Sequence, residues 1–332
     1  MFTKEDILFL LAAILFGISI LLFVMQFFLT PKSVPHTPQK QWQIESIDTM
    51  KYSRDMARQD LNNANFVNEV DKQMSLIAAT GANYVAIDTP YDQEFIPVLA
   101  VWVQSARAHG LHVWFRGNFS GWEGWFNYPP ITEQEHTEKI KEFILSNRTL
   151  FQDGDIFTSC PECENGIKLN TGDPNVVASY RSFLISEYMT SKDAFAEIDK
   201  NVSTGYFSMN ADVARAVMDR QTTKELGGIV VIDHYVLTPE QLADDAASIA
   251  AQSGGKIILG EFGAPIPDIH GNMTDEQQKE WLSQSLQMLS GVTDLIGINY
   301  WVDKGGSTAL WNPNNAPKPA VAVLTGYYQK EL

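Results

Sequence analysis

From Trp42 onward, short runs of apolar, β-branched and aromatic residues alternate with longer stretches in which apolar positions recur every three or four residues. The short runs are Ile44 to Met50, Tyr84 to Asp88, His112 to Gly117, Asp155 to Ser159, Val202 to Ser208, Ile229 to Asp233, Lys256 to Gly260 and Leu295 to Tyr300. Their lengths suit strands, and the periodicity between them suits helices. Val67, Val70, Met74 and Ile77, for example, make one apolar helical face. Thr238-Pro239-Glu240-Gln241 offers an N-cap, a proline in the first helical position and a capping-box glutamine, and Thr274-Asp275-Glu276-Gln277 repeats the box ahead of Trp281, Leu282 and Leu286. Alternating strands and helices predict a parallel sheet, and eight such units are the number that closes a (β/α)8 TIM barrel. The structural rival is an open doubly wound sheet, but no Gly-x-Gly-x-x-Gly follows the first strand to mark a nucleotide site.

A different pattern precedes the barrel. Ile7 to Leu29 contains no charged residue, which meets the roughly 20-residue requirement of a spanning helix. The apolar region of a cleaved signal is shorter and ends at small residues, whereas this run leaves through Phe27, Phe28, Leu29, Thr30 and Pro31. The expectation is a retained single transmembrane helix within residues 1–29, which makes the lipid bilayer a partner. A Pro-rich spacer over 30–42 carries Pro31, Pro35 and Pro38, and one domain occupies 43–332. Lys4 is offset by Glu5 and Asp6 while Lys32 and Lys40 follow the helix, so the positive-inside count leans toward a cytoplasmic barrel. An extracytoplasmic domain is nevertheless expected, because a six-residue head is easily retained inside and the substrate inferred below is extracellular.

Charge narrows the partners. The chain is −16 overall and residues 1–42 are +1 (three lysines against Glu5 and Asp6), which leaves −17 on the domain. So acidic a unit lacks the basic footprint needed for phosphate backbones, which argues against nucleic acid and leaves room for a neutral substrate. The two cysteines form Cys160-x-x-Cys163. A structural zinc site needs four ligands, so the pair reads as packing thiols or as a local disulfide. The six histidines are scattered, and no metal or cofactor is implied.

Two glutamates carry the candidate chemistry. Glu162, in Cys160-Pro161-Glu162-Cys163-Glu164-Asn165-Gly166, follows the fourth strand, and Glu261, in Ile257-Ile258-Leu259-Gly260-Glu261-Phe262-Gly263, closes the seventh. A lone glutamate at a strand end is commonly a solvated surface group. Two on one barrel rim suit glycosidic bond cleavage, in which one carboxyl protonates the leaving oxygen and the other attacks or activates water. The loop after the third strand, Gly121-Trp122-Glu123-Gly124-Trp125-Phe126-Asn127-Tyr128, is a candidate substrate wall through Trp122 and Trp125, since flat aromatic faces pack on sugar rings. The same tryptophans also fit a loop-covered satellite core.

These residues resemble those of the clan A glycoside hydrolases, most closely the family 5 cellulase-like barrels, and the resemblance covers most of the chain from Trp42. Ile258-Leu259-Gly260-Glu261-Phe262-Gly263 matches the nucleophile strand, while Pro161-Glu162-Cys163 stands where the family carries Asn-Glu-Pro. The resemblance implies Glu261 as nucleophile and Glu162 as acid/base, with Glu164 as competitor. It further implies that Tyr235 of Asp233-His234-Tyr235 hydrogen-bonds the nucleophile, that His234 lies on the same rim, and that Trp301 is a sugar platform. Arg116 and Asn118 are expected to orient the nucleophile or the sugar, although the family's arginine sits one strand earlier. Glu164 and Asn165 beside Glu162 are further candidate sugar contacts. The expected protein is a membrane-anchored retaining glycoside hydrolase of β-linked poly- or oligosaccharides. Its Glu162 should be kept protonated by burial and by the Glu261 charge. The rival is a non-catalytic carbohydrate-binding or cell-surface scaffold barrel, kept open by the missing asparagine before Glu162.

Overall fold

The structure is a computed structural model that describes residues 42–167 and 169–330. The predicted transmembrane helix lies outside the described residues. Among those described, no helix is long and apolar enough to cross a membrane.

Eight parallel strands form one sheet: β1 (Ile44–Asp48), β2 (Tyr84–Ile87), β3 (His112–Phe115), β4 (Ile156–Phe157), β5 (Ser208–Asn210), β6 (Ile229–Asp233), β7 (Lys256–Phe262) and β8 (Leu295–Tyr300). Their order is β4-β3-β2-β1-β8-β7-β6-β5. A parallel bridge between Ile156 and Ser203 joins the two edges, so the sheet curls into a TIM-barrel-like arrangement. Principal helices follow the strands in turn: α1 (Phe66–Ala79), α2 (Ile96–Ala108), α3 (Glu133–Ser146), α4 (Pro174–Glu197), α5 (Ala211–Val217), α6 (Pro239–Ser253), α7 (Asp275–Leu289) and α8 (Pro319–Gln329).

Seven of the eight predicted runs coincide with or contain a strand to within a few residues. The fifth differs: Val202 to Ser208 is mostly irregular, and the strand starts where that run ends. Gly205 sits in the left-handed region at φ 82°, which no strand residue adopts, so the ladder is interrupted between the Ser203 bridge and Ser208. The helix signals hold with two exceptions, Val67 and the Gln241 half of the first capping box, whose side chain does not return a bond to Thr238. Thr238 caps α6 through Gln241 N–H at 3.2 Å, and Thr274 and Gln277 make a reciprocal capping box on α7. In α1 the buried positions are Phe66, Val70, Gln73, Met74 and Ile77, and Val67 is 60% exposed because the helix is rotated toward Phe66.

The period-two alternation of the strands sorts side chains into two cores. Val85, Ile87, Val113, Phe115, Ile257 and Leu259 face outward into the large helix–sheet core. Ile44, Ala86, Trp114, Ile156, Val231 and Ile258 face inward and fill the barrel. Each such valine, leucine, isoleucine or phenylalanine, buried completely, contributes roughly 1.5–3 kcal/mol of transfer free energy. The filled interior closes one end of the barrel, leaving the chemistry for the other.

Candidate active site

One residue pair beyond the inward apolar layer, the same alternation delivers polar groups. Asp48 follows Ile44 and Ser46, Asp88 follows Ala86, Arg116 follows Trp114, and Asp233 follows Val231. The result is a buried charged layer at the C-terminal ends of the strands, where barrel sites lie.

Arg116 is its hub, 1% exposed. One guanidinium nitrogen donates to Gly260 carbonyl and to Asp48 Oδ2 at 3.4 Å. The other reaches Ser208 Oγ at 3.2 Å, Asp233 Oδ2 at 3.2 Å and Glu261 Oε1 at 3.1 Å. Burial pushes the Asp48 carboxyl up to about 6, against the pull of Arg116. Asp88 and Asp233 are likewise raised well above the ordinary carboxylate range, by burial first and then by neighbouring charge. Asn299 on β8 closes the layer by donating to Asp48 at 3.1 Å and to Gly260 carbonyl at 2.8 Å.

Glu261 reaches this layer through an irregularity. Strict alternation from Ile258 and Gly260 would turn Glu261 outward, but the ladder shifts register between Leu259 and Phe262, and Asp233 pairs with Glu261 instead of Gly260. A bulge of this kind re-aims a side chain. Gly260 must be glycine, because a Cβ there would meet Asp233 Oδ1 at 2.4 Å and Val231 Cγ1 at 2.7 Å. Tyr235 then donates its hydroxyl to Glu261 Oε2 at 2.7 Å, so each carboxyl oxygen holds one donor.

Glu162 approaches from the opposite wall. Its backbone is left-handed at φ 43°, a strained conformation for a non-glycine residue. The turn is held by Glu162 N–H donating to Ser208 carbonyl at 2.8 Å, and by a disulfide between Cys160 and Cys163 on either side. Of the two readings of the cysteines, the local disulfide is the one present. Among the described residues the Glu162 carboxyl makes only long hydrogen bonds, with Asn210 Nδ2 at 3.4 Å and Asn165 Nδ2 at 3.5 Å. Burial and the charges of Glu261 and Glu164 raise it to about 7, opposed by Arg116 and Arg54. Glu162 and Glu261 line one cleft of about 130 Å³ together with Met50, Arg54, Asp88, Arg116, Glu123, Trp125, Pro161 and Asn165.

The cleft separates the residues singled out in the sequence. Arg116, Trp125, Glu162, Asn165 and Glu261 line it, and Tyr235 touches Glu261. Trp125 carries the Arg54 guanidinium 4.8 Å from its ring centroid. Trp301 is half-buried, stands edge-on to Tyr235 at 5.8 Å, and has Lys51 Nζ 5.7 Å from its ring. Four candidates lie elsewhere. Trp122 is 6% exposed, stacks on Phe183 at 5.2 Å and donates to Cys163 carbonyl, so it belongs to the satellite core. His234 points outward to Asp245 on α6 at 2.8 Å. Asn118 is fully buried and lies behind the cleft, donating to Glu123 at 2.6 Å and to Cys160 Sγ at 3.4 Å. Glu164, 6% exposed, accepts from Asn210 N–H at 3.0 Å and Tyr180 hydroxyl at 3.3 Å, which satisfies a carboxyl away from the cleft.

The structure also adds residues. Asp48, Asp88, Asp233 and Asn299 were legible as strand-end polar positions, but only the closed sheet makes them one layer. Arg54 carried no sequence signal beyond its charge, and Glu123 only its place in the aromatic candidate substrate wall after the third strand. Among the described residues, no group of histidine, cysteine, aspartate and glutamate is placed to hold a metal.

No family model matches the sequence, and no curated protein is similar to it. Solved structures share the fold. A GH5_18 glutamate-to-alanine variant from Bifidobacterium longum subsp. longum, in complex with Manβ1-4GlcNAc, is 15% identical at a TM-score of 0.64, covering 86% of this chain and 78% of that one. The corresponding GH5_18 variant from Streptomyces cattleya, with the same ligand, is 13% identical at 0.62, covering 88% and 81%. A β-D-glucuronidase for Dictyoglomus thermophilum is 16% identical at 0.57, and the 87% of this chain that it matches spans only 51% of its length. The barrel therefore shares its fold with these glycoside hydrolases.

Proposed function

We propose that the protein is a retaining glycoside hydrolase acting on β-linked oligo- or polysaccharides, with Glu261 as nucleophile and Glu162 as acid/base. The observation that carries this reading is the contrast between two carboxyls facing one cleft. Glu261 receives an arginine and a tyrosine hydroxyl, one on each oxygen. Glu162 has no strong donor and is raised to about 7 by burial and by Glu261. Environments that divide two carboxyls in this way assign one as charged attacker and the other as proton donor. The GH5_18 and glucuronidase fold neighbours support the reaction class.

In the first step Glu261 attacks the anomeric carbon and the C–O bond to the leaving group breaks as Glu162 delivers its proton to that oxygen. In the second, Glu162 accepts a proton from water, which displaces Glu261 from the sugar. A neutral sugar fits better than a uronate. Both terminal nitrogens of Arg116 bond protein groups, and Arg54 is paired with Asp55 at 2.8 Å, so each cleft cation already faces a protein carboxylate. The barrel would be held at a membrane by Ile7 to Leu29, facing outward. Membrane fractionation and protease accessibility in intact cells test this, and a mature N-terminus near Ser33 would sink it.

The deciding experiment is kinetic. Glu261→Ala should abolish turnover of aryl β-glycosides, with rescue by azide, which can occupy the vacated nucleophile position. Glu162→Ala should retain the first step on substrates with good leaving groups, which need no protonation. If Glu164→Ala shows that leaving-group dependence and Glu162→Ala does not, the acid is misassigned.

A further inference from the structure

We propose that Glu123 contacts the substrate on the leaving-group side of the cleft, held in place by a buried chain of side chains from α4 and α3. This rests on the glycosidase reading above. Glu187 on α4 and His136 on α3 are both fully buried. Glu187 Oε1 meets His136 Nδ1 at 3.1 Å and accepts from Thr137 Oγ1. The other ring nitrogen lies 2.8 Å from Asn118 Oδ1, whose identity as oxygen is set by the Phe119 N–H that also donates to it at 2.8 Å. Asn118 Nδ2 in turn donates to Glu123 Oε1 at 2.6 Å. A carboxyl fixed through three buried side chains is ordered before a ligand arrives, which removes part of the entropy cost of binding. Its second oxygen has no hydrogen-bond partner among the described residues, and the residue lines the cleft.

The side follows from the strand order, with which the electrostatics agree. The charges that act most on Glu123 are Glu162 and Glu164 from the loop after β4 and Arg54 from the segment after β1. Glu162, by contrast, feels Glu261 most strongly. Glu123 also follows β3, the neighbour of β4 whose loop carries Glu162, while Glu261 closes β7 across the barrel, so Glu123 lies on the Glu162 side of the cleft. The acid of a glycosidase sits at the scissile oxygen and the nucleophile at the anomeric carbon, so a group beyond the acid meets the leaving sugar. Burial, with the Glu162 charge adding and the Asn118 bond opposing, pushes the Glu123 carboxyl up to about 8. Near neutrality it offers an O–H to a sugar hydroxyl, and above that value it can only accept.

The test compares kcat/KM of the full-length chain, Glu123→Ala and Glu123→Gln on a disaccharide and on an aryl β-glycoside with the same non-reducing sugar. Loss of one hydrogen bond to the leaving sugar should lower the disaccharide value about tenfold more than the aryl value in Glu123→Ala. Glu123→Gln, which keeps a donor, should recover much of that difference and abolish the wild-type rise in KM above about pH 8. His136→Gln, as a positioning change, should reduce the same disaccharide-to-aryl ratio. Across aryl leaving groups of differing acidity Glu123→Ala should run parallel to wild type. A steeper dependence would make Glu123 the acid, and equal losses on both substrates would make it structural; either result overturns the proposal. If the wild-type chain cleaves no glycoside, the glycosidase reading fails by itself. Saturation-transfer NMR with free mono- and disaccharides then decides: binding weakened about fivefold or more in Glu123→Ala keeps Glu123 as a sugar contact, and unchanged binding, or none to wild type, removes it.

Discussion

Replacing Arg116 by methionine should cost far more at pH 8 than at pH 5. The guanidinium is the cation shared by Asp48, Asp233 and Glu261, at 3.4, 3.2 and 3.1 Å, and it also acts on Asp88. Methionine fills similar volume but leaves these buried carboxyls without a counter-charge. Breaking a buried pair by removing one partner costs about 3–5 kcal/mol, which for a domain of this size lowers Tm by roughly 10 °C. The pH dependence follows from the direction of the remaining pKa values. Asp48, already raised to about 6, and Asp88 and Asp233, already raised well above the ordinary range, would move higher still. A carboxyl whose folded value is raised binds its proton more tightly in the folded state. Its stabilising protonation is complete below the unfolded value near 4 and is lost as pH rises toward the folded value. The variant's deficit should therefore be largest at pH 8 and shrink toward pH 5 as the orphaned groups take up protons. Calorimetric unfolding of wild type and Arg116→Met at both pH values reads this directly. A deficit below about 1 kcal/mol, or one equal at the two pH values, would refute the hub.

Other outcomes follow from the same geometry. The alkaline limb of kcat/KM should fall near pH 7, where Glu162 loses its proton, and should disappear in Glu162→Gln assayed with a good leaving group. Tyr235→Phe removes the 2.7 Å bond to Glu261 and should lower kcat about tenfold with little change in Tm, which stopped-flow kinetics and thermal melts would separate. Cys160→Ser with Cys163→Ser frees the turn that presents Glu162, so kcat/KM should drop several-fold without loss of fold; complete inactivation, seen beside an unchanged circular dichroism spectrum, would give the disulfide a larger role. An aryl β-glucuronide should be at least a hundredfold poorer than the best neutral glycoside, roughly the cost of one unpaired buried charge, and comparable rates would show that a cleft cation is free.

The strand–helix order, the number of strands and the polar groups at their ends are local consequences of periodicity and capping, and they were legible from Ile44 to Tyr300 except at the fifth strand, where Gly205 breaks the run. Glu261 was readable for the same reason, since it ends an apolar run, whereas Tyr235, two residues past β6, was singled out by the family resemblance. What the linear pattern left open is where side chains point once the regular period fails. Trp122 and Trp125 lie three residues apart in one loop, yet Gly124 at φ 74° and Phe126 at φ 55° turn the chain between and after them, so one enters the satellite core and the other the cleft. Glu162 and Glu164 would share a face if extended, but the left-handed backbone at Glu162 and the helical turn starting at Glu164 send the first into the cleft and the second to Tyr180 and Asn210. Glu261 faces inward only because its ladder slips register, and Glu123 is a site residue only because Asn118 and His136, 18 residues apart, meet behind it. Periodicity acts over neighbours along the chain and so is written in the sequence, whereas backbone reversals and contacts between distant residues depend on closure of the whole sheet, which only the tertiary structure decides.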